Sequence, residues 1–219
     1  MENQSNKTAI VAGATGLVGE QLLIQLLADP QYTKVIAVVR KPLRNTHEKL
    51  EQILANFEQL PAALMGITAD HGYCCLGTTI KTAGSKEKQV IVDHDYVVMF
   101  AKACHSVGVT RFAVVSSIGA NLNSSNFYLR TKGEMERDLR QIPFTGTCIV
   151  QPSLLIGDRK EFRTGEKTAS AIMRILDPLL IGSLKKYRGV NASNVARVMI
   201  EQMSSNVNGV KFIRSDEIK

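Results

Sequence analysis

Tyr128 and Lys132 stand four residues apart in a segment, Tyr128–Arg140, that predicts a helix, so the two side chains share one face within a turn. A phenol with an ordinary pKa of about 10 is a poor acid–base group near neutrality. An ammonium beside it favours the ionised form and brings proton transfer into a useful range. Eleven residues before Tyr128, Ser116-Ser117 ends a predicted strand, Phe112–Ser116. Open α/β sheets bind ligands at the carboxyl edges of their strands. A serine hydroxyl there can bond a substrate carbonyl while the tyrosine gives or takes the proton. The chemistry implied is proton transfer at a carbonyl or alcohol.

Such a centre needs a partner for the electrons, and the start of the chain supplies a place for one. Gly13-Ala14-Thr15-Gly16-Leu17-Val18-Gly19 joins a predicted strand, Thr8–Ala12, to a predicted helix, Leu17–Ala28. Glycines there permit a tight turn and close backbone approach to a pyrophosphate, and the helix N-terminus offers unpaired N–H groups and a favourable dipole. Gly13, Thr15, Gly16, Leu17 and Val18 are therefore the expected cradle of a dinucleotide. The spacing is G-x-x-G-x-x-G, a variant of the G-x-G-x-x-G fingerprint. Arg40, 21 residues after Gly19 and followed by Lys41, closes the second predicted strand, Val35–Val39. An acidic residue at that strand end would bond the ribose 2′-hydroxyl of NAD. A guanidinium instead pairs with the 2′-phosphate of NADP and stacks on adenine. The expected cofactor is NADPH/NADP+ rather than NADH.

The elements that must position these groups alternate short β-branched runs with helix-period segments, the pattern of a parallel sheet covered by helices. Further strands are expected at Leu50–Asn56, Tyr73–Leu76, Gly146–Gln151 and Val210–Ile213. Helices are expected at Leu60–Ile67, Asp93–Val107 and Asn191–Met203, a polar loop at Lys81–Lys88, and a mixed, partly helical stretch at 165–180. No linker or repeat divides the 219 residues. The expectation is an α/β fold, a Rossmann-type doubly wound parallel sheet with helices on both faces, forming one domain with a small C-terminal elaboration on the substrate side.

Composition narrows the class further. The formal charge of +7 admits nucleic acid, an anionic membrane or a phosphate-bearing ligand as partner. The basic residues are scattered, and neither a zinc-finger spacing nor an RNA-recognition signature nor any tryptophan supports nucleic-acid binding. No apolar run is long enough for a membrane span, and the polar residues Met1–Lys7 lack the apolar core of a secretory signal. The four cysteines have no metal-ligand spacing, and the four histidines form no ligand pair, so no metal is expected. Unpaired thiols in apolar surroundings point to a reduced, cytoplasmic compartment.

Taken together, GATGLVG at Gly13–Gly19, VVSSIGA at Val114–Ala120 and YLRTK at Tyr128–Lys132 resemble the short-chain dehydrogenase/reductases. CLGTT at Cys75–Thr79, SSIGANLNSSNFYLRTKGEME at Ser116–Glu136 and QPSLLIGDR at Gln151–Arg159 are similar, more narrowly, to the atypical, Tat-interacting-protein-like oxidoreductases. The resemblance implies that Tyr128 is the catalytic acid/base and that Lys132 holds the nicotinamide ribose and tunes Tyr128. It implies that Ser117, the second serine of the pair, binds the carbonyl, with Ser116 beside the cofactor. Leu76, Gly77 and Thr78 would line the adenosine and pyrophosphate portion, Asn56 and Phe57 would flank the adenine, and Gln151, Pro152 and Ser153 would pack beside the nicotinamide. Asp93 stands where the wider family often carries asparagine, and Gln151 where related sequences often have arginine. The long C-terminal substrate domain of extended members is absent, which leaves 121–127, 157–167 and the helix after them to shape a substrate pocket. The expected activity is an NADPH-dependent reductase of a small-molecule carbonyl. The alternative is a non-catalytic NADP(H)-binding, redox-sensing regulator with a protein partner; a cofactor-retaining epimerase fits less well.

Overall fold

Alternation along each strand decides which layer a side chain joins. In the computed structural model, which describes residues 6–44, 46–157, 188–205 and 208–219, β1 (Lys7–Ala12) sends Ala9 and Val11 into one apolar layer and Ile10 and Ala12 into another. β2 (Tyr32–Val39) repeats the division, with Val35, Ala37 and Val39 on the first side and Ile36 and Val38 on the second. Strands buried on both faces read as continuous apolar runs, as VIAVV does in the sequence.

These strands join β3 (Leu50–Leu54), β4 (His71–Cys74), β5 (Arg111–Val115) and β6 (Gly146–Gln151) in one sheet. Two short strands, β7 (Leu155–Ile156) and β8 (Val190–Asn191), pair with each other, and β9 (Gly209–Arg214) completes the main sheet. Its order is β3-β2-β1-β4-β5-β6-β9, and every neighbouring pair is parallel. Helix α1 (Leu17–Ala28) buries Leu22, Leu23 and Leu26 in the first layer. The second layer receives Leu60 and Leu64 from α2 (Leu60–Ala63) and the residue just after it. The fold is the expected Rossmann-type sheet with helices on both faces.

Lys81–Lys88, expected as a polar loop, instead holds most of two short helices, α3 (Ile80–Ala83) and α4 (Lys86–Val90). Each is opened by a hydroxyl that accepts a backbone N–H: Thr79 from Thr82 at 3.3 Å and Ser85 from Lys88 at 3.2 Å. These are N-cap signals that a polar composition conceals. From α4 the chain runs through one π-helical turn, Ile91–Asp95, into α5 (Tyr96–Ser106). The helix that carries Tyr128 and Lys132, α6 (Phe127–Leu139), is capped by Asn126, and the last described helix, α7 (Ala192–Ser204), by Asn191. Val97 and Phe100 of α5 and Met135 of α6 enter the second layer, whereas Val195 and Met199 of α7 enter the first. The stretch expected to be mixed at 165–180 lies outside the described residues. All four cysteines are free, and the adjacent Cys74 and Cys75 belong to opposite layers, with burial pushing the Cys74 thiol up to about 12.

Under β1, away from the carboxyl edge, Tyr32 Oη lies 2.7 Å from His71 Nδ1 and 2.6 Å from Tyr73 Oη, all three residues buried. Burial, helped by the charges of Lys7 and Arg111, lowers the His71 pKa from 6.5 to about 3. The folded protein thus refuses a proton that the unfolded chain accepts. Stability is fully present above about pH 6.5 and falls as pH drops from there towards 3, by about 1.4 kcal/mol per pH unit. Denaturant unfolding at pH 7.5 and 4.5 should show a loss of about 2–3 kcal/mol from this one group. His71→Leu, which cannot titrate, should shrink the pH difference by that amount.

Candidate active site

The chain builds outward from β1 through β2 and β3, then returns to place β4 on the other side of β1. The crevice at this reversal is where doubly wound sheets take ligands. Gly13 leaves β1 with φ +82°, and a Cβ there would lie 2.6 Å from the Cys75 carbonyl just beyond β4. A Cβ on Gly19 would stand 2.0 Å from the Gly13 carbonyl oxygen. The first and last glycines are therefore required by close approach, which seats the start of α1 directly on the turn. Gly16 is the N-cap residue of α1 and supplies no side-chain cap, so N–H groups of the first turn remain for an anion. A backbone cradle that any side chain would fill fits a pyrophosphate.

Beside this turn lies a cleft of about 620 Å³. It brings together Thr15, Gly16, Leu17 and Val18 from the turn, Arg40 from the end of β2, and Leu76, Gly77 and Thr78 from the loop after β4. Ser116 from the end of β5 and Tyr128 and Lys132 from α6 line the same space. The other residues singled out in the sequence are not in this lining. Gly13 underlies the turn, Lys41 is exposed beyond Arg40, and Asn56 is exposed. Phe57 is buried and stacks on Tyr96 with ring centroids 4.5 Å apart. Ser117 is half-buried, its hydroxyl 3.4 Å from the Ile118 carbonyl. Pro152 is buried, and Ser153 is tied to the Arg188 carbonyl and to Ser215. Of the segments expected to shape a substrate pocket, 158–167 lies outside the described residues.

Sequence reasoning missed what holds Lys132. Its ammonium lies 3.1 Å from Asp93 Oδ1, with side chains only 3% and 1% exposed. Asp93 also accepts the Thr78 backbone N–H, at 3.3 and 3.4 Å to its two oxygens. One carboxylate thereby ties the loop after β4 to α6. It does so from the π-helical turn Ile91–Asp95, a local widening that recurs at functional sites. Burial alone would push the Lys132 ammonium down; the Asp93 carboxylate, Tyr128 and the hydrogen bond to Asp93 outweigh it and hold the pKa above its ordinary value. Lys132 is therefore a cation at neutral pH.

Glu136 was missed as well. Its carboxylate is buried and accepts hydrogen bonds from Ser116 Oγ and, at 2.9 Å, from Gln151 Nε2. Burial raises its pKa, against the opposing pull of those two bonds and of Lys132 and Arg140. The signal was in the sequence: Tyr128, Lys132 and Glu136 follow at i, i+4 and i+8 on one helix face. Glu20, Cys75, Asp93, Val115 and Leu155 complete the lining. Among the described residues, no group of His, Cys, Asp and Glu is arranged to hold a metal ion, and no helix is long and apolar enough to cross a membrane.

Residues 13–206 match the family model described as NAD(P)H-binding. Protein FMP52, mitochondrial, from Candida glabrata is 39% identical over 162 residues, covering 74% of this chain and 69% of that protein. The Eremothecium gossypii FMP52 is 32% identical, covering 96% of this chain and 95% of its own. Protein HTATIP2 of Rattus norvegicus is 34% identical, covering 74% and 68%. Among solved structures, a short chain dehydrogenase family protein from Francisella tularensis superposes with a TM-score of 0.67 at 14% identity, covering 97% of this chain and 98% of that one. UDP-glucose 4-epimerase of Thermotoga maritima, with UDP-glucose, gives 0.70 at 16%, covering 94% and 76%. At such identities these two show the fold alone.

Several relatives are named as mitochondrial proteins, which overturns the cytoplasmic expectation. That expectation rested on unpaired thiols, which report a compartment where thiols stay reduced and do not distinguish one such compartment from another. With the cleft, the fold and these relatives in agreement, the chain belongs to the NAD(P)H-binding family, in the group of HTATIP2 and FMP52.

Proposed function

We propose that this chain is an NADP(H)-dependent oxidoreductase that interconverts a small carbonyl compound and its alcohol. The observation that carries the reading is that Tyr128 and Lys132 meet in the cleft that the glycine turn and Arg40 also line. When bound, the nicotinamide supplies or accepts the hydride. In the reductive direction the Tyr128 hydroxyl gives its proton to the carbonyl oxygen, and Ser117 donates a hydrogen bond to that oxygen. Lys132 holds the ribose with the N–H groups not used by Asp93, and its charge favours the tyrosinate left after proton transfer. Gln151, Pro152 and Ser153 border the nicotinamide side, and Asn56 and Phe57 the adenine side.

The experiment is a screen of the purified protein with NADPH against aldehydes, ketones and quinones. Cofactor oxidation that depends on the added carbonyl supports the reading. Tight NADPH binding with no turnover across the panel would favour a regulator that senses NADP(H) through a protein partner.

Preference for NADPH follows from the guanidinium at the end of β2, where a carboxylate would repel a 2′-phosphate. Arg40→Ala should weaken NADPH by about 1.5–3 kcal/mol, the scale of a charge-assisted hydrogen bond, and leave NADH nearly unchanged. Calorimetry with both cofactors checks it. Equal affinities in the native protein, or equal losses in the variant, would defeat the assignment.

A further inference from the structure

Hydrogen-bond polarity fixes what the floor of the cleft can recognise. A serine hydroxyl has one proton and two lone pairs. Ser116, 4% exposed at the end of β5, gives its proton to Glu136 Oε1. The same oxygen receives the Gln151 Nε2–H, so it is an acceptor twice over. With its proton committed behind the wall, Ser116 can only accept from the cleft that it lines.

We infer that Glu136 is a positioning residue that makes Ser116 an acceptor-only group, and that this acceptor selects the carboxamide N–H of the nicotinamide. The inference rests on the proposed cofactor reading. The cleft runs from Arg40, which suits the adenosine phosphate, past the pyrophosphate turn to Ser116, Tyr128 and Lys132, which leaves the nicotinamide at the Ser116 end. Its carboxamide is the part of that ring system with N–H donors to give. The two serines then divide their work. Ser116 faces the cofactor as an acceptor, while Ser117, whose hydroxyl makes only a long contact with its neighbour's carbonyl, is the donor left for a substrate oxygen.

Glu136 shares its face of α6 with Tyr128 and Lys132 yet stands behind Ser116, so it acts through another side chain. Glu136→Leu keeps an apolar bulk behind Ser116 and offers its hydroxyl no acceptor. The serine proton is then free to point into the cleft. A residue that only fills space would change the affinity for every nicotinamide ligand alike, whereas loss of acceptor-only recognition erases the discrimination between them.

The test compares NADP+ with its 3-acetylpyridine analogue, which keeps the carbonyl and replaces the N–H donors by a methyl group, in calorimetric titrations of the purified chain. The native protein should bind NADP+ about 3–10-fold more tightly than the analogue, the worth of one net hydrogen bond. Glu136→Leu and, independently, Ser116→Ala should each bring the two ligands within about twofold. Equal native affinities, or a Glu136→Leu or Ser116→Ala protein that keeps the full preference, would overturn the inference and leave the cofactor reading standing. A native protein that binds neither ligand would overturn both.

Discussion

Tyr128→Phe should lower turnover by about 10²–10⁴-fold while leaving NADPH affinity almost intact. The substitution keeps the ring and its place on α6 and removes only the oxygen proposed to carry the proton. Lys132→Ala should behave differently, because the ammonium is proposed both to hold the ribose and to favour the tyrosinate. Its loss should cost turnover and cofactor binding together. Steady-state rates and cofactor titrations on the three proteins separate the two effects. Undiminished turnover in Tyr128→Phe would remove the tyrosine from the mechanism.

The second large effect is on stability, and it comes from the pair that holds Lys132. Asp93→Ala would strand a buried ammonium, and breaking one partner of a buried ion pair costs about 3–5 kcal/mol. For a chain of this length the melting temperature should fall by on the order of 10 °C. The double variant Asp93→Leu with Lys132→Met removes both charges and should recover most of that loss, since a well-packed apolar replacement of a buried pair is often neutral. The sign with pH also follows. The Lys132 pKa is raised in the folded state, so its contribution is complete at neutral pH and is lost only as pH rises through that elevated value. A small effect of Asp93→Ala, with no recovery in the double variant, would mean that the pair does not carry this energy.

Most of the sheet could be read from the chain because its signals are local. Apolar runs such as TAIVA and VIAVV, each followed by glycine, basic or serine punctuation, mark buried parallel strands, and the Tyr128/Lys132 spacing declares itself within one helical turn. The features that escaped depend on distance in the chain or on one extra residue in a helix. Asp93 and Lys132 are 39 residues apart, and the aspartate that meets the lysine sits in the π-helical turn. Nothing in the periodicity of Asp93–Val107 marks that turn, because a single widened turn leaves the apolar stripe of α5 intact. The serine pair shows the same limit. Adjacent residues beyond a strand face different ways, and placing Ser116 rather than Ser117 on the wall of the cleft required the strand's register against β6 and the side chain of Glu136.

Hydride transfer is the central claim, and isotope transfer tests it most directly. NADPH deuterated at the transferring position of the nicotinamide ring would be mixed with the native protein and a carbonyl compound found in the screen, and the alcohol product weighed by mass spectrometry. The account predicts one deuterium atom, transferred as deuteride from the cofactor, in each product molecule, formed at a rate that falls by about 10²–10⁴-fold in Tyr128→Phe. NADPH that binds tightly yet passes no deuterium to any member of the panel would contradict it.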